Sequence, residues 1–208
     1  RVASHAVAPA PLPLDGGEKQ QDLSNKILAK SGGCFLWVHL VLQQLSRVYT
    51  NESIWVVLDE IPEGMVAFYQ RTIENMSLNT REIDTARAIL LWAVYSVRPL
   101  RISELQQALI LDVNVNVLSI KKSIEGLCGQ LVYVDTNDTV QIVHPTAREF
   151  LIGDATSEFA ISDHNGHDRI ALSCLRYLSS DEMKPPRTRR YLNIHKVDTS
   201  VFHDYACA

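Results

Sequence analysis

Residues 98–152 decide the reading. They open with RPLRI (98–102), a short extended piece, and continue as SELQQALIL (103–111). Ser103, with Gln106 three positions on, has the arrangement of a capping box, so a helix is predicted to start there and to bury Leu105, Ala108 and Leu109. A break near 112–116 follows. Beyond it Val117, Ile120, Ile124, Leu127 and Leu131 recur at helical spacing, with Lys121, Lys122 and Glu125 on the outer side. In LVYVDTNDTVQIVHPTAREFLI (131–152), two β-rich runs, 131–135 and 139–143, flank Thr136-Asn137-Asp138 and predict a hairpin. Pro145 stands at the first position of another helix, where its missing N–H removes no hydrogen bond. Just upstream, EIDTARAILLWAVYSV (82–97) carries a helical stripe of Ile83, Ala86, Ile89, Leu90, Ala93 and Val97. Helix, short extended segment, helix, helix, hairpin is the order of a winged helix, assigned here to 82–155.

The flanks are predicted to be helical, so the fold class is mainly α: a helical subdomain packed on a winged-helix domain. Residues 1–17 hold three prolines and two glycines without a period and read as a linker or eroded segment. The helical subdomain is 18–81. Its first helix starts near Asp22 and stops at Ser31-Gly32-Gly33. Its second, 34–49, is apolar all round in its first half. A third lies near 52–59, ended by Pro62. In the fourth, Met65, Phe68, Tyr69, Ile73 and Met76 pack into the core. Downstream, 156–180 contains a trailing helix (167–180) that buries Ile170, Leu172, Cys174, Leu175 and Leu178. Residues 181–208, with Pro185-Pro186, lose the pattern and read as a tail or the truncated start of a further domain. The missing initiator Met agrees with a fragment or a trimmed gene model.

Bulk properties narrow the function classes. Of the 208 residues, 46% are hydrophobic and 21% charged, enough for a sizeable core. The net charge of −4 argues against a chain-wide footprint for nucleic acid or acidic membranes. The most apolar run, Cys34 to Leu42, falls short of the roughly 20 residues of a membrane span, and no signal peptide is visible. Cys34, Cys128, Cys174 and Cys207 are scattered without a CxxC pair, which reads as free thiols in a reducing, cytoplasmic setting. No repeat of 20–50 residues is present.

Several ordered blocks resemble a known family. ILAKSGGCFLWVHLVLQQL, VLDEIPEGMVAFYQRTIENM, ILLWAVYSVRPLRISELQQAL, VQIVHPTAREFLI and IALSCLRYL are together similar to the fungal NACHT-type ATPases, STAND-class signalling proteins linked to vegetative incompatibility. The winged-helix portion also resembles the GPI inositol-deacylase winged helix domain. The resemblance covers about 22–180. It implies a P-loop ATPase core before this region and ankyrin or WD repeats after it, both partners in cis, and ATP/ADP exchange that toggles between closed and homo-oligomerising states. This chain itself contains no P-loop. WVVLDE (55–60) imitates a Walker B strand, but follows a helix with no phosphate loop upstream. The chain is therefore expected to be non-catalytic and to hold no cofactor of its own.

His144 is the candidate nucleotide-phosphate contact. It ends the second wing strand directly before a helix, and helix N-termini attract anions. In related STAND proteins a histidine here touches the ADP β-phosphate. Pro145 takes the place of the aspartate in their His-Asp motif, and a histidine that merely caps a surface turn is the alternative. Arg148, Glu149, Arg98 and Arg101 read as exposed charge with a lesser claim to inter-domain contacts. Lys121 and Lys122 lie where a DNA-reading helix would carry bases, but the acidic wing speaks against nucleic acid. His164 and His167, in a polar turn with Cys174 beyond, lack a set of metal ligands. No GxSxG elbow marks a nucleophile. The function expected is regulatory; a stand-alone adaptor or remnant, or a DNA-binding winged helix, are the alternatives.

Overall fold

The computed structural model describes residues 17–153, 159–160, 163–180 and 201–207. The chain divides into two compact units, Arg1–Arg71 and Thr72–Ala208. Four helices begin within the first: α1 (Gly17–Ser31), α2 (Phe35–Leu45), α3 (Asn51–Glu60) and α4 (Met65–Ser77), whose last residues belong to the second. Helix α1 starts before Asp22, because Glu18–Gln21 are good helix formers in their own right. It ends where expected, at Gly32 and Gly33, both at positive φ. Helix α2 stops at Leu45, not Tyr49, and buries one face only: Trp37, Leu40, Val41 and Leu45. Phe35 is 91% exposed, so the start of α2 is not enclosed all round.

Lys30, in the last turn of α1, closes α3. Its Nζ donates to the carbonyls of Leu58 and Ile61 at 2.8 Å each and of Asp59 at 3.2 Å. A cation at these orphan carbonyls also meets the negative end of the helix dipole. Thr50 caps the other end of α3, accepting from Ser53 N at 3.3 Å. Trp37 Nε1 donates to Pro62 O at 3.0 Å.

The second unit is built around α5 (Ile83–Tyr95), which buries nine of its residues, including Ala88 through Trp92 without a break. A helix hydrophobic on nearly all sides belongs in the middle of a core. Against it lie α6 (Ile102–Val113), α7 (Ile120–Leu127) and α9 (Asp163–Leu178). The strands β1 (Leu100–Arg101), β2 (Val132–Val134) and β3 (Thr139–Ile142) form an antiparallel sheet in the order β1-β3-β2. Leu100 pairs with Val140, and Val132 with Ile142. Helix α8 (Pro145–Gly153) follows the hairpin, and α10 (His203–Ala206) lies near the end of the chain.

Five further details differ from the sequence reading. Helix α6 begins at Ile102, since β1 pairing holds the chain only as far as Arg101. The Ser103–Gln106 box does not form; Glu104 Oε2 instead accepts from Arg101 N at 2.8 Å. Helix α9 begins at Asp163, so Asn165–His167 are its first turns and not a polar turn before it. Its buried side is Gly166, Ile170, Ser173 and Tyr177. Leu172, Leu175 and Leu178 are 53%, 60% and 37% exposed. Finally, Val201–Cys207 is no featureless tail. Phe202 and Tyr205 are buried, and both stack edge-on against Trp92 at 5.9 and 5.8 Å. Phe202 also meets Tyr177 at 5.5 Å. The Pro185-Pro186 stretch lies outside the described residues.

Candidate functional site

The hairpin delivers His144 to the start of α8. Val143 N donates to Leu131 O at 2.9 Å, which closes the base of the hairpin. Asp135 closes its tip: its carboxylate accepts from Asn137 N at 2.9 Å, Thr139 N and Thr139 Oγ1 at 2.8 Å each, and Gln141 Nε2 at 2.9 Å. The Thr139 N–H bond, with the others, holds the Asp135 carboxyl below the ordinary carboxylate range. One acid of the wing is therefore spent on shaping the wing itself.

His144 is exposed and occupies the N-cap position of α8. Its carbonyl accepts from Ala147 N at 3.0 Å and Arg148 N at 3.4 Å. Its Nδ1 accepts from Thr146 N at 3.2 Å and lies 2.9 Å from Thr146 Oγ1. A backbone N–H can only donate, so in this bond Nδ1 carries no proton. The ring proton of the neutral form then sits on Nε2. The cap thus sets the tautomer, and the tautomer turns a donor away from the helix. Pro145 has no N–H, and the bonds just given take up those of Thr146, Ala147 and Arg148. An anion arriving at this end of α8 would be met by the imidazole rather than by bare backbone.

Arg148 is exposed, as read from the sequence, yet it is not without a tie to the fold. Its Nε donates to Val94 O at 2.9 Å, which ties α8 to the last turn of α5. Arg98 is likewise not loose loop charge. Its two terminal nitrogens reach Glu104 Oε2 at 2.9 Å and Oε1 at 2.7 Å, a fork onto a carboxylate whose residue is 3% exposed. The Arg98 guanidinium also lies 5.2 Å over the Tyr205 ring. Glu149 and Arg101 are exposed. Between the end of α5, β1, β3 and Arg148 runs an open groove of about 250 Å³. Trp92, Val97, Leu100, Leu105 and Val140 make it largely apolar, and His144 is not in its wall.

The remaining candidates separate in space. Lys121 and Lys122 are exposed on α7. His167 stacks edge-on against Tyr95 at 5.1 Å; the side chain of His164 lies outside the described residues. No group of three His, Cys, Asp or Glu side chains able to hold a metal occurs among the described residues. WVVLDE is helical, within α3; its Asp59 pairs with Lys26 and its Glu60 with Arg71 at 3.1 Å. The imitation of a nucleotide-binding strand therefore ends at the level of letters. Among the described residues no helix is long and apolar enough to cross a membrane.

With strand order, hairpin and α8 in place, comparison with known families becomes specific. Residues 73–162 match the GPI inositol-deacylase, winged helix domain. The matched segment opens within α4, takes in the three-stranded sheet and α5 to α8, and closes just before α9. The segment is similar to that domain, and its own order of helices and strands is that of a winged helix. No curated protein and no solved structure matches the chain. Sequence reading missed the buried Glu104, the fourfold use of Asp135 and the docking of Phe202 and Tyr205. Only Glu104 left a signal, standing at the third helical position after an extended Leu-Arg pair.

Proposed function

We propose that this chain is a non-catalytic regulatory module of a NACHT-type signalling NTPase. On this reading it couples the nucleotide state of a core elsewhere in the protein to conformational switching and oligomerisation. The core and a repeat domain are its partners in cis; nucleic acid and membranes are not among its partners, and ATP or ADP is held with the core. The observation that carries the reading is His144: exposed, at the start of α8, with Nδ1 engaged by Thr146 N so that Nε2 bears the proton. A phosphate oxygen accepts hydrogen bonds, and a proton on Nε2 supplies a donor for one. The winged-helix family match over 73–162 and the NACHT-like blocks on both sides of it support the reading. The switch would move the winged helix as a body between two states biased by nucleotide.

The test uses a protein that carries the nucleotide-binding core. His144→Asp keeps a good cap for α8 but places a carboxylate where the phosphate donor stood. It should weaken ADP binding about tenfold or more, equal to about 1.4 kcal/mol, and raise basal activity. His144→Ala should do the same with some loss of helix stability. Unchanged ADP affinity in both variants would remove His144 from the site. An antibody to 82–155 that detects a native polypeptide of only 23.4 kDa would end the switch reading and leave the adaptor.

A further inference from the structure

The apolar groove beside β1 and β3 combines a floor, a free backbone edge and one uncompensated charge. In the hairpin, Asp135 N donates to Thr139 O and Val143 N to Leu131 O, so Thr139, Gln141 and Val143 turn their backbone groups toward β2. These groups alternate along an antiparallel strand, so those of Val140 and Ile142 point the other way, toward β1. The β1 register ends with Leu100 opposite Val140, and the chain bends at Val97 and Arg98. The N–H and C=O of Ile142 therefore open onto the groove, which Val97, Arg98 and Arg148 also line. On this side α8 begins at Pro145, which leaves room along the edge of β3 for only a residue or two. At about 250 Å³ the groove is also smaller than the roughly 300–1,000 Å³ of pockets that enclose a drug-sized ligand. Leu100, Leu105 and Val140, all buried, form its floor. Its lining holds two arginines and no acid. The Arg98 charge is met by the fork onto Glu104. Among the described residues Arg148 bonds through Nε alone, to Val94 O, so its terminal N–H groups remain for a ligand.

We propose that this groove takes the C-terminal residue of a partner polypeptide, one with an aliphatic side chain and a free carboxylate. The carboxylate accepts from the terminal nitrogens of Arg148, whose planar fork matches its two oxygens. The amide of the last residue donates to Ile142 O, and Ile142 N–H offers the peptide a donor in return. The aliphatic side chain lies over Leu100, Leu105 and Val140 and takes the exposed Val97 out of water. A chain end fits because the free edge is too short for a strand that runs through. Its negative charge answers Arg148, which no acid in the lining does. His144 is not in the wall of the groove, so this contact goes beyond the nucleotide switch and does not rest on it.

The test titrates the full chain into three peptides, each labelled with fluorescein at its N-terminus, that read GSGSV followed by a final valine, leucine or isoleucine; anisotropy reports binding. Saturable binding of at least one is expected, and the same peptide as a C-terminal amide should bind about tenfold more weakly or worse. Arg148→Gln should weaken the acid form by about the same factor. Because Arg148 also ties α8 to α5, Val97→Glu is the second variant. It alters an exposed residue at the rim, should melt at the parent temperature and should weaken the acid form severalfold. In nitrogen-15 heteronuclear spectra the Ile142 amide should shift on addition of the acid form. No saturable binding of any of the three up to about 1 mM would overturn the proposal. Equal binding of acid and amide forms, or full affinity in both variants, would do the same. An amidated peptide with one internal glutamate that binds as well as the acid form would overturn the assignment to a chain end.

Discussion

Gly166 shows what one residue decides. A Cβ built there would lie 2.6 to 2.8 Å from three atoms of the Tyr95 ring, so α9 approaches α5 as closely as it does only because the side chain is missing. Gly166→Ala would gain about 1 kcal/mol in helix propensity but crowd an aromatic ring that is itself buried, at a cost of about 1–3 kcal/mol. A net loss of up to about 2 kcal/mol is expected, read as a lower urea midpoint with the slope unchanged. A midpoint at or above that of the parent chain would mean that Tyr95 moves aside freely. Nothing in DHNGH announces this role, because the partner that gives the glycine its meaning is Tyr95, far away in sequence. His144 is the opposite case. Its place at the strand–helix junction is legible in VHPTAREFL, since Pro145 marks the first helical position. What the letters do not contain is the ring tautomer, which depends on the distance to Thr146 N.

At the level of elements, the short stretch from Arg98 to Glu104 joins sheet to helix through one carboxylate. Burial pushes the Glu104 carboxyl up, but the fork from Arg98 and the N–H of Arg101 outweigh it and leave the group below its usual value of 4.5. A carboxyl depressed in the folded state contributes stability that is present above 4.5. That contribution is lost as pH falls through the still lower folded value. The unit from Thr72 onward should therefore weaken in acid below about pH 4.5, and Glu104→Gln should flatten that part of the curve. Thermal melts between pH 3 and 7 would show it; parallel acid limbs in both proteins would assign the loss to other carboxylates. Helix α6 was readable from its apolar spacing, yet its cap was not. A Ser-x-x-Gln pattern competes with a Glu two residues earlier, and β1 pairing with β3 decides between them. Helix α9 erred in the same direction. Leucines at 172, 175 and 178 make a tidy stripe, but the side that the core accepts is the smaller one, with Gly166, Ile170, Ser173 and Tyr177. Arg169 reinforces the choice through Asp112 Oδ1 at 2.5 Å, while Asp112 Oδ2 accepts from Trp92 Nε1 at 3.1 Å.

On the scale of the molecule, the segment near the end of the chain completes the core of the second unit. Phe202 is fully buried, with Trp92 and Tyr177 each edge-on to it. Phe202→Ala should cost about 3–4 kcal/mol and shift Trp92 emission to longer wavelength as water reaches the ring. A blue-edge spectrum and an unchanged melting temperature would show that the segment adds nothing to the core. From sequence alone this segment had no helical stripe long enough to read, and its two aromatics could equally have opened another domain. The sequence by itself determined the helical class and the order of strands and helices that makes the winged helix. Those features rest on periodicity, proline and turn chemistry within short windows, where each residue's neighbours along the chain carry the information. Tertiary structure alone decided which face of α9 is inside, which acid caps α6, which ring nitrogen of His144 holds the proton and where Phe202 goes. Each of these depends on whether a distant group fills the space or supplies the hydrogen bond, and burial settles it only once both partners are in place.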